Sequence, residues 1–366
     1  MNPEHDPEGG APEGDQGELS DLVAFLPPLL RSLEALAFVA RNLNPPDLGA
    51  VLEVAGAPDE GLRAARPRLE AWPDRLAGPR DALAKSADAV LAGFKGLREA
   101  ADLRGVFRAL RWLPRAQEAL YPLAAALPPV SRAFLDPVAR ADPARVAALA
   151  AAPPRSETGL HHVDNAPGQR GGFSLYVPED YHPGRAWPLV MALHGGAGHG
   201  RSFLWSWLAA ARGQGAILIA PTAIGDTWTL AGDDVDTPNL RRILDLARRT
   251  WRIDPDRLLL TGMSDGGTFC YVSGLEATSP FTHLAPVAAA FHPFLAEMAD
   301  PDRLRGLPIH IVHGALDWMF PVEAGREASR ALAAAGARVS YAEIADLSHC
   351  YPREINRPIL DWLSGG

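Results

Sequence analysis

The sequence is poor in lysine and cysteine, and both shortages narrow the range of functions. Only two lysines occur among 366 residues, Lys85 and Lys95, and the formal net charge is −9. Because no basic stretch is present, binding to nucleic acid through phosphate contacts is not expected. The two cysteines, Cys270 and Cys350, permit at most one disulfide, and we predict that both are free thiols.

The sequence also lacks the segments that direct a chain to membranes. No basic start followed by an apolar h-region occurs near the N-terminus, and no uninterrupted apolar run approaches the length of a bilayer span. We therefore expect a cytoplasmic protein with no transmembrane segment. The glycine patterns of phosphate-binding loops are missing as well, which disfavours a phosphate loop in the glycine-rich segment at residues 192–200.

Composition divides the chain into four regions. Residues 1–18 are rich in acid, proline and glycine, which predicts a disordered tail. Residues 19–152 are dominated by alanine, leucine and arginine in segments of helical length, which predicts an all-helical accessory region. Residues 153–159 have the composition of a linker. Residues 160–366 alternate strand-like and helix-like runs, which predicts an α/β domain with a mostly parallel central sheet flanked by helices.

Within these regions, individual elements can be predicted. Helical spacing of apolar residues is clearest in "ALAKSADAVLAGFKGLREA", residues 82–100. Thr237 followed by Pro238 predicts an N-cap and the first position of a helix over "NLRRILDLARRTW". Short apolar runs predict seven strands, at 173–177, 188–193, 216–220, 257–262, 284–290, 308–314 and 339–344.

One serine stands between two glycines in "TGMSDGGTFC", residues 261–270. Gly262 and Gly266 lie two positions before and after Ser264, and the segment follows a strand-like run and precedes a helix-like run. A G-x-S-x-G turn in this context presents a serine hydroxyl at the edge of a sheet, where a base activates it. We therefore predict that Ser264 is a catalytic nucleophile. A tight turn with no chemistry is the alternative for this motif alone.

A glycine-rich segment, "ALHGGAGHG" at residues 192–200, follows an earlier predicted strand. In acyl transfer, negative charge develops on a carbonyl oxygen, and converging backbone N–H groups stabilise it. The predicted donors of this oxyanion hole are the N–H of Asp265 and that of Gly196 or Ala197. The choice between the last two stays open.

An acid and a histidine follow Ser264 along the chain, each in a loop after a predicted strand. Asp317 lies in "HGALDWMFP" and His349 in "IADLSHCYP". We predict that His349 moves the proton and that Asp317 orients its imidazole. Asp346 is the competing acid and is expected to be a turn residue.

No metal site and no cofactor are predicted. His310 and His313 are three positions apart on a predicted strand, hence on opposite faces, and each is expected to be a core histidine with its hydrogen bonds satisfied. His161 and His162 are expected on the surface.

Aromatic residues are frequent in the loops near the predicted site. Trp228 and Trp318 are the predicted substrate contacts, and His292 is predicted to line the pocket. Such a pocket suits a small-molecule ester with an apolar or aromatic acyl group. For Phe203 and Trp207 we expect packing within a helix. Three roles stay open for the N-terminal helices: a cap over the site, a homo-oligomer surface or a docking module.

Residues 160–363 resemble the α/β-hydrolase superfamily, and within it the group of polyhydroxyalkanoate depolymerases, feruloyl esterases and phospholipase/carboxylesterases. The resemblance depends on "LHGGAG", "IDPDRLLLTGMSDGG", "HGALDWMFPV" and "LSHCYPREINRPILDWL", in that order. It implies Ser264, Asp317 and His349 as a catalytic triad. It also implies the "HGG" loop with Asp265 as the oxyanion hole.

The function predicted from the sequence is a serine carboxylesterase that needs no cofactor and works through an acyl-enzyme. Two alternatives remain. A serine peptidase of the prolyl-oligopeptidase type shares the turn and the triad, although the large propeller domain is absent from this sequence. A non-catalytic binding protein on a hydrolase scaffold is the other alternative.

Overall fold

The structure is a computed structural model that describes residues 13–365, with side chains described from residue 17 onward. The predicted tail at residues 1–18 therefore lies largely outside the described residues. From Glu13 onward the chain is helical, so the last part of the predicted tail belongs to the first helix.

Helices make up the first part of the described chain, as predicted. Their bounds are α1 (Glu13–Arg41), α2 (Leu48–Ala55), α3 (Asp59–Ala65), α4 (Ala77–Glu99), α5 (Leu103–Leu110), α6 (Trp112–Leu120), α7 (Pro128–Ala133), α8 (Pro137–Ala141) and α9 (Pro143–Ala151). Helix α4 covers the run with the clearest helical spacing, and it buries Leu83, Val90, Phe94 and Leu97. Aspartates cap two of the short helices, because Asp136 and Asp142 accept hydrogen bonds from first-turn N–H groups of α8 and α9.

A mixed, mostly parallel sheet dominates the rest of the chain. Its strands are β1 (Gly159–Val163), β2 (Phe173–Val177), β3 (Trp187–Leu193), β4 (Ile217–Pro221), β5 (Ile253–Met263), β6 (His283–Val287), β7 (Pro308–Gly314) and β8 (Arg338–Ile344). The intervening helices are α10 (Gly200–Gln214), α11 (Asp236–Thr250), α12 (Asp265–Gly274), α13 (Phe294–Met298), α14 (Pro301–Leu304), α15 (Val322–Ala334) and α16 (Asn356–Leu363).

The strand order in the sheet is β1-β2-β4-β3-β5-β6-β7-β8. From β4 to β8 every pairing is parallel, whereas β2 pairs antiparallel with both β1 and β4. All seven predicted strands are present. Strand β1 was not predicted, because "GLHHV" contains two histidines and no continuous apolar run. The carboxyl ends of the parallel strands lie at one edge, and the candidate site lies at that edge.

The chain consists of two compact units, each defined by the contacts among its own residues. One consists of the described residues up to Ala37 and Ala55–Val130; the other consists of Phe38–Val54 and Ser131–Gly366. The predicted helical region at 19–152 and catalytic domain at 160–366 do not coincide with these units. Residues 38–54 and 131–151 belong with the sheet.

Several contacts of the sheet-containing unit explain why residues 131–151 belong to it. The Arg145 guanidinium pairs with Asp180 at 2.6 Å, and Arg357 pairs with Asp136 at 3.0 Å. Arg212, 2% exposed, donates to the Ser131 carbonyl at 2.8 Å and pairs with Glu179. Through these contacts the helices α8 and α9 pack against the sheet-containing unit.

Helix α1 contains a stretch, Gly17–Arg41, that is long and apolar enough to cross a membrane, and less than half of it is buried. The charged residues Arg31 and Glu34 interrupt it, which is why the sequence shows no continuous apolar run there. Core helices of soluble proteins have the same length and composition, so the predicted absence of a membrane span stays a prediction.

Candidate active site

Ser264 occupies the sharp turn between β5 and α12. Its backbone has φ +56° and ψ −122°, a conformation that non-glycine residues rarely adopt. The turn is fixed by hydrogen bonds from Ser264 N–H to the Val287 carbonyl at 3.0 Å and from Thr268 N–H to the Ser264 carbonyl at 2.8 Å. Hydrogen bonds to the neighbouring strand β6 and to helix α12 therefore hold the Ser264 backbone in this strained conformation.

Both glycines of the motif are required by close backbone approach. A Cβ atom at Gly262 would lie 2.4 Å from the Gly266 carbonyl oxygen, and one at Gly266 would lie 2.4 Å from the His194 carbonyl oxygen. No side chain fits at these distances, because the opposing atoms belong to the backbone. The sequence argument for two glycines around Ser264 therefore has a direct steric basis.

The structure brings Ser264, Asp317 and His349 together although they are far apart in the sequence. His349 Nε2 lies 3.0 Å from Ser264 Oγ, and His349 Nδ1 lies 2.9 Å and 3.0 Å from the two Asp317 carboxylate oxygens. Asp317 follows β7 and His349 follows β8, so both side chains come from loops at the carboxyl edge of the sheet. The three are almost fully buried, with Ser264 and His349 each 7% exposed.

Asp317 is held as a carboxylate. Burial by itself would raise its pKa, but the hydrogen bond from His349 and those from the backbone N–H groups of Phe320 and Met319 outweigh burial and lower it. The two N–H groups donate to the Oδ1 atom at 2.8 Å and 2.9 Å. Asp317 therefore keeps its negative charge beside the imidazole at neutral pH.

His313, expected only in the core, also contacts the candidate site. It is 1% exposed, and its Nε2 lies 2.9 Å from the Phe320 carbonyl oxygen and 3.5 Å from Asp317 Oδ2. A core histidine with a satisfied hydrogen bond was predicted correctly. Its proximity to Asp317 was missed, because nothing in the sequence indicates that the loop after β7 folds back over its own strand.

The glycine-rich segment follows β3 and lies against Ser264. A Cβ atom at Gly195 would lie 3.5 Å from Ser264 Cβ and 3.6 Å from the Met263 carbonyl oxygen, so the segment passes close to the turn that carries Ser264. Ala197 has φ +52°, which places it in the left-handed region. Among the described residues, none accepts a hydrogen bond from the backbone N–H of Gly196, Ala197 or Asp265. These are the three predicted oxyanion-hole donors.

The His194 side chain holds the glycine-rich segment in place through two hydrogen bonds. Its Nδ1 lies 2.7 Å from the Gly195 carbonyl oxygen, and its Nε2 accepts a hydrogen bond from Ala223 N–H at 3.1 Å. Burial lowers the pKa of His194 to about 4, despite the opposing hydrogen bond to Gly195. The imidazole is therefore neutral and joins the loop after β3 to the loop after β4.

Arg170 makes a second connection between the same two loops. Its guanidinium donates to the carbonyl oxygens of Gly198 and Gly225, each at 2.7 Å. A lone arginine in a polar loop carries no recognisable motif, so sequence reasoning gave it no role.

Trp228 belongs to the support of the site and does not form an open pocket wall. It is 2% exposed, its indole N–H donates to the His194 carbonyl at 2.7 Å, and its ring stacks on Phe269 with centroids 5.4 Å apart. The structure gives Trp228 a packing role, and its contact with substrate stays a prediction. Aromatic content in the sequence does not distinguish a loop's inward-facing side chains from its outward-facing ones.

Trp318 is placed differently. It is 43% exposed, and its ring lies edge-on to the His349 imidazole with centroids 6.1 Å apart. Leu316 and Met319 in the same loop are each 45% exposed. An apolar surface thus borders His349. His292 is exposed in the loop after β6, and its role in substrate binding stays a prediction.

Asp236, for which the sequence predicted no role, holds the loop after β4 in place through hydrogen bonds. Asp236 is fully buried and accepts hydrogen bonds from Ile224 N–H and from the N–H and hydroxyl of Thr229. The predicted N-cap at Thr237 is wrong, because α11 already begins at Asp236. The Asp234 carboxylate accepts from the N–H groups of Asp236 and Thr237 instead.

The histidines of β1 and β7 lie in different surroundings from those predicted for some of them. His161 and His162 are half-buried on β1 rather than on the surface, because β1 pairs with β2 and His162 Nδ1 reaches Ser174 Oγ at 2.8 Å. His310 is half-buried beside Ser340 at 2.7 Å. Within residues 13–365 no group of three histidine, cysteine or acidic side chains is arranged to hold a metal ion. Both cysteines are free and buried.

The chain is similar in sequence to a curated protein, the bifunctional acetylxylan esterase/xylanase XynS20E of Neocallimastix patriciarum. The two are 29% identical over 149 residues, which is 39% of this chain and 21% of that protein. The chain thus spans about a fifth of that relative's length. No family model matches the chain.

Solved structures with a related arrangement include several esterases. A ferulic acid esterase has a TM-score of 0.48 at 16% identity, covering 56% of this chain and 96% of that one. A truncated carbohydrate esterase from gut microbiota has a TM-score of 0.47 at 14% identity, covering 58% and 98%. Arabidopsis thaliana SOBER1 has a TM-score of 0.41 at 19% identity, covering 49% and 99%.

The fold follows from the molecule's own features. Its sheet is parallel from β4 to β8, Ser264 lies at a strained turn between a strand and a helix, and the chain order is Ser264, Asp317, His349. By these features, the sheet-containing unit has the α/β-hydrolase fold.

Proposed function

We propose that the protein is a serine carboxylesterase in which Ser264, His349 and Asp317 act as a catalytic triad. The observation that carries the proposal is the His349 imidazole, hydrogen-bonded to Ser264 Oγ at 3.0 Å on one side and to the Asp317 carboxylate at 2.9 Å on the other. A serine hydroxyl is a weak nucleophile until a base removes its proton, and this imidazole is within reach of it.

In the proposed reaction, Ser264 Oγ attacks the ester carbonyl carbon while His349 Nε2 takes the hydroxyl proton. The C–O bond to the alcohol then breaks, and His349 returns the proton to the departing alcohol. The resulting acyl-enzyme is hydrolysed when His349 deprotonates a water that attacks the same carbon, which releases the carboxylic acid and restores Ser264. Asp317 stays ionised and fixes the tautomer with the proton on Nδ1.

The tetrahedral intermediate places a negative charge on the former carbonyl oxygen. We assign its stabilisation to the N–H of Asp265 at the start of α12 and to that of Gly196 or Ala197. Support comes from the lack of acceptors for these N–H groups among the described residues and from the close approach of Gly195 to Ser264. One such donor contributes about 3 to 4 kcal/mol to the transition state in comparable enzymes.

The proposed substrates are small esters with an apolar acyl group. The loop beside Asp317 exposes three apolar side chains, Leu316, Trp318 and Met319, each 43–45% exposed. Covering such side chains with an apolar ligand is favourable, because it removes apolar surface from water. Acetyl esters of xylan, suggested by the name of the similar curated protein, are a narrower option within this class.

The proposal is tested with p-nitrophenyl esters of two to twelve acyl carbons and with a peptide p-nitroanilide, using the full chain. Ester turnover is expected, and Ser264→Ala should lower kcat by more than about 10⁴-fold. Ser273→Ala is the matched control, since Ser273 is buried on the same helix at 2% exposure; it should keep wild-type turnover.

Other outcomes identify the alternatives. Cleavage of the anilide without ester turnover would favour a peptidase. A chain that is inert toward every substrate and toward a fluorophosphonate probe would overturn the proposal and favour a binding protein.

A further inference from the structure

Both chain neighbours of His349 are hydrogen-bonded to one short segment near the start of the chain. The Ser348 hydroxyl donates to Asn44 Oδ1 at 3.3 Å, and the Cys350 thiol donates to the Leu43 carbonyl at 3.1 Å. Leu43, Ser348 and Cys350 are all at most 5% exposed. Residues 38–54 and 131–366 form one compact unit, so these contacts lie within it.

The loop that carries His349 has little backbone support of its own. Between Leu347 and Pro352 the chain is neither helix nor strand, and its one internal backbone bond runs from Cys350 N–H to the Ser348 carbonyl. Among the described residues, none forms a backbone hydrogen bond with His349. The position of its imidazole therefore depends on side chains and on the flanking residues.

Asn44 is oriented to serve as a fixed acceptor. Its Nδ2 donates to Asp47 Oδ2 at 2.7 Å, which leaves Oδ1 directed toward Ser348. Its backbone is extended, with φ −122° and ψ 122°, as expected for a residue before proline. Two constraints thus hold the amide in place, so the contact with Ser348 does not depend on a freely rotating side chain.

We propose that Leu43 and Asn44 are positioning residues for His349, and that they set the rate of the reaction by holding the loop at residues 347–352. The inference rests on the proposed esterase function. Displacement of a catalytic group by about 1 Å costs roughly 100-fold in rate, so loosening this loop lowers kcat. The nearby ion pairs of Arg41 with Asp346 and Glu354 contribute little, because both acids are more than half exposed.

The test compares Asn44→Ala with Asn42→Ala. Asn42 is a half-buried asparagine two positions away whose amide donates to the Phe38 carbonyl at 2.9 Å and not to the loop. Asn44→Ala should lower kcat by about tenfold with KM within about twofold, and residues 345–352 should exchange amide hydrogens about tenfold faster. Asn42→Ala should change neither.

A paired variant separates positioning from general damage. Asn44→Asp together with Asp47→Asn keeps an acceptor for Ser348 and reverses the direction of the bond to position 47, so it should restore kcat. Ser348→Ala should lower kcat as Asn44→Ala does, and combining the two should add little, because both remove one bond.

The outcomes distinguish this inference from the esterase proposal. Unchanged exchange in the loop would overturn the positioning role whatever the activity, and so would faster exchange with wild-type kcat. If the wild-type chain has no ester turnover, the proposed function fails. Exchange then still decides whether the segment holds the loop.

Discussion

His349 Nδ1 lies almost midway between the two carboxylate oxygens of Asp317, at 2.9 Å and 3.0 Å. This arrangement requires the Nδ1 proton to point at the carboxylate, so Nε2 is left as the acceptor for the Ser264 hydroxyl. In the proposed reaction, the tautomer on which proton transfer depends is thereby set by the Asp317 carboxylate.

Replacing that acid by its amide should disable the site without unfolding the chain. Asp317→Asn keeps the shape but presents an N–H to the imidazole, which favours the wrong tautomer, and we expect kcat to fall by about 10⁴-fold. Steady-state kinetics with a p-nitrophenyl ester measure the effect. Asp346→Asn is the matched control, because that carboxylate is 73% exposed in the loop after β8, which also carries His349; wild-type rates in both variants would contradict the assignment.

Stability should fall as the solution is acidified from pH 6.5 toward pH 4. The pKa of His194 is lowered by burial from 6.5 to about 4, so the unfolded chain binds its proton more tightly than the folded chain does. The contribution of the neutral His194 imidazole to the free energy of unfolding is complete above pH 6.5. About 3 kcal/mol of it is lost as the pH falls through 4. His283, with a pKa also lowered to about 4 by burial, acts in the same direction.

Urea unfolding at pH 7 and at pH 4.5 measures this dependence. His194→Gln should be less stable than wild type at pH 7 and should lose less between the two pH values. His182→Gln, at an exposed imidazole, should lose as much as wild type. Equal pH dependence in all three proteins would contradict the buried neutral imidazole.

A methyl group added at Gly266 should destabilise the chain strongly. The added Cβ would lie 2.4 Å from the His194 carbonyl oxygen and 2.5 Å from that of Leu193, so the backbone must move. We expect Gly266→Ala to lower the free energy of unfolding by more than about 2 kcal/mol. Gly49→Ala, on α2 with no atom within 4 Å of the new methyl group, should instead raise it by about 0.5 kcal/mol. Thermal unfolding of both variants and of the wild type measures these changes in stability.

Trp318 should matter more for long acyl chains than for short ones. Trp318→Ala removes the exposed ring beside His349, and we expect kcat/KM for a dodecanoate ester to fall about tenfold while that for an acetate ester changes less than about twofold. Val138→Ala, a change at a 55% exposed side chain on α8, serves as the control. An equal loss for both esters would indicate a structural role for Trp318 instead.

The sequence was informative where chemistry and sterics leave one solution. Gly262 and Gly266 could be predicted around Ser264 because close backbone approach excludes every other residue, and continuous apolar runs predicted seven of the strands. The chain order of serine, acid and histidine was sufficient to select residues that the structure brings within hydrogen-bond distance.

Other features depend on contacts between segments far apart in the sequence, and no local pattern indicates them. Trp228 and Trp318 both occur in aromatic loops, yet one is buried and the other exposed. The roles of Asp236 and Arg170 arise from carbonyl and N–H groups of other loops that only folding brings together. The division at residue 152 followed composition, which does not reveal that residues 38–54 belong to the same compact unit as the sheet.

The bond between Asn44 and Ser348 joins residues 304 positions apart. During synthesis the first partner leaves the ribosome long before the second exists, so the region around His349 cannot take its final form until the C-terminal strand and loop have been translated. A nascent chain that has completed β7 already contains Ser264 and its turn but not His349. In the proposed reaction His349 removes the hydroxyl proton, so the order of synthesis delays ester hydrolysis until the last strand and its loop have been made.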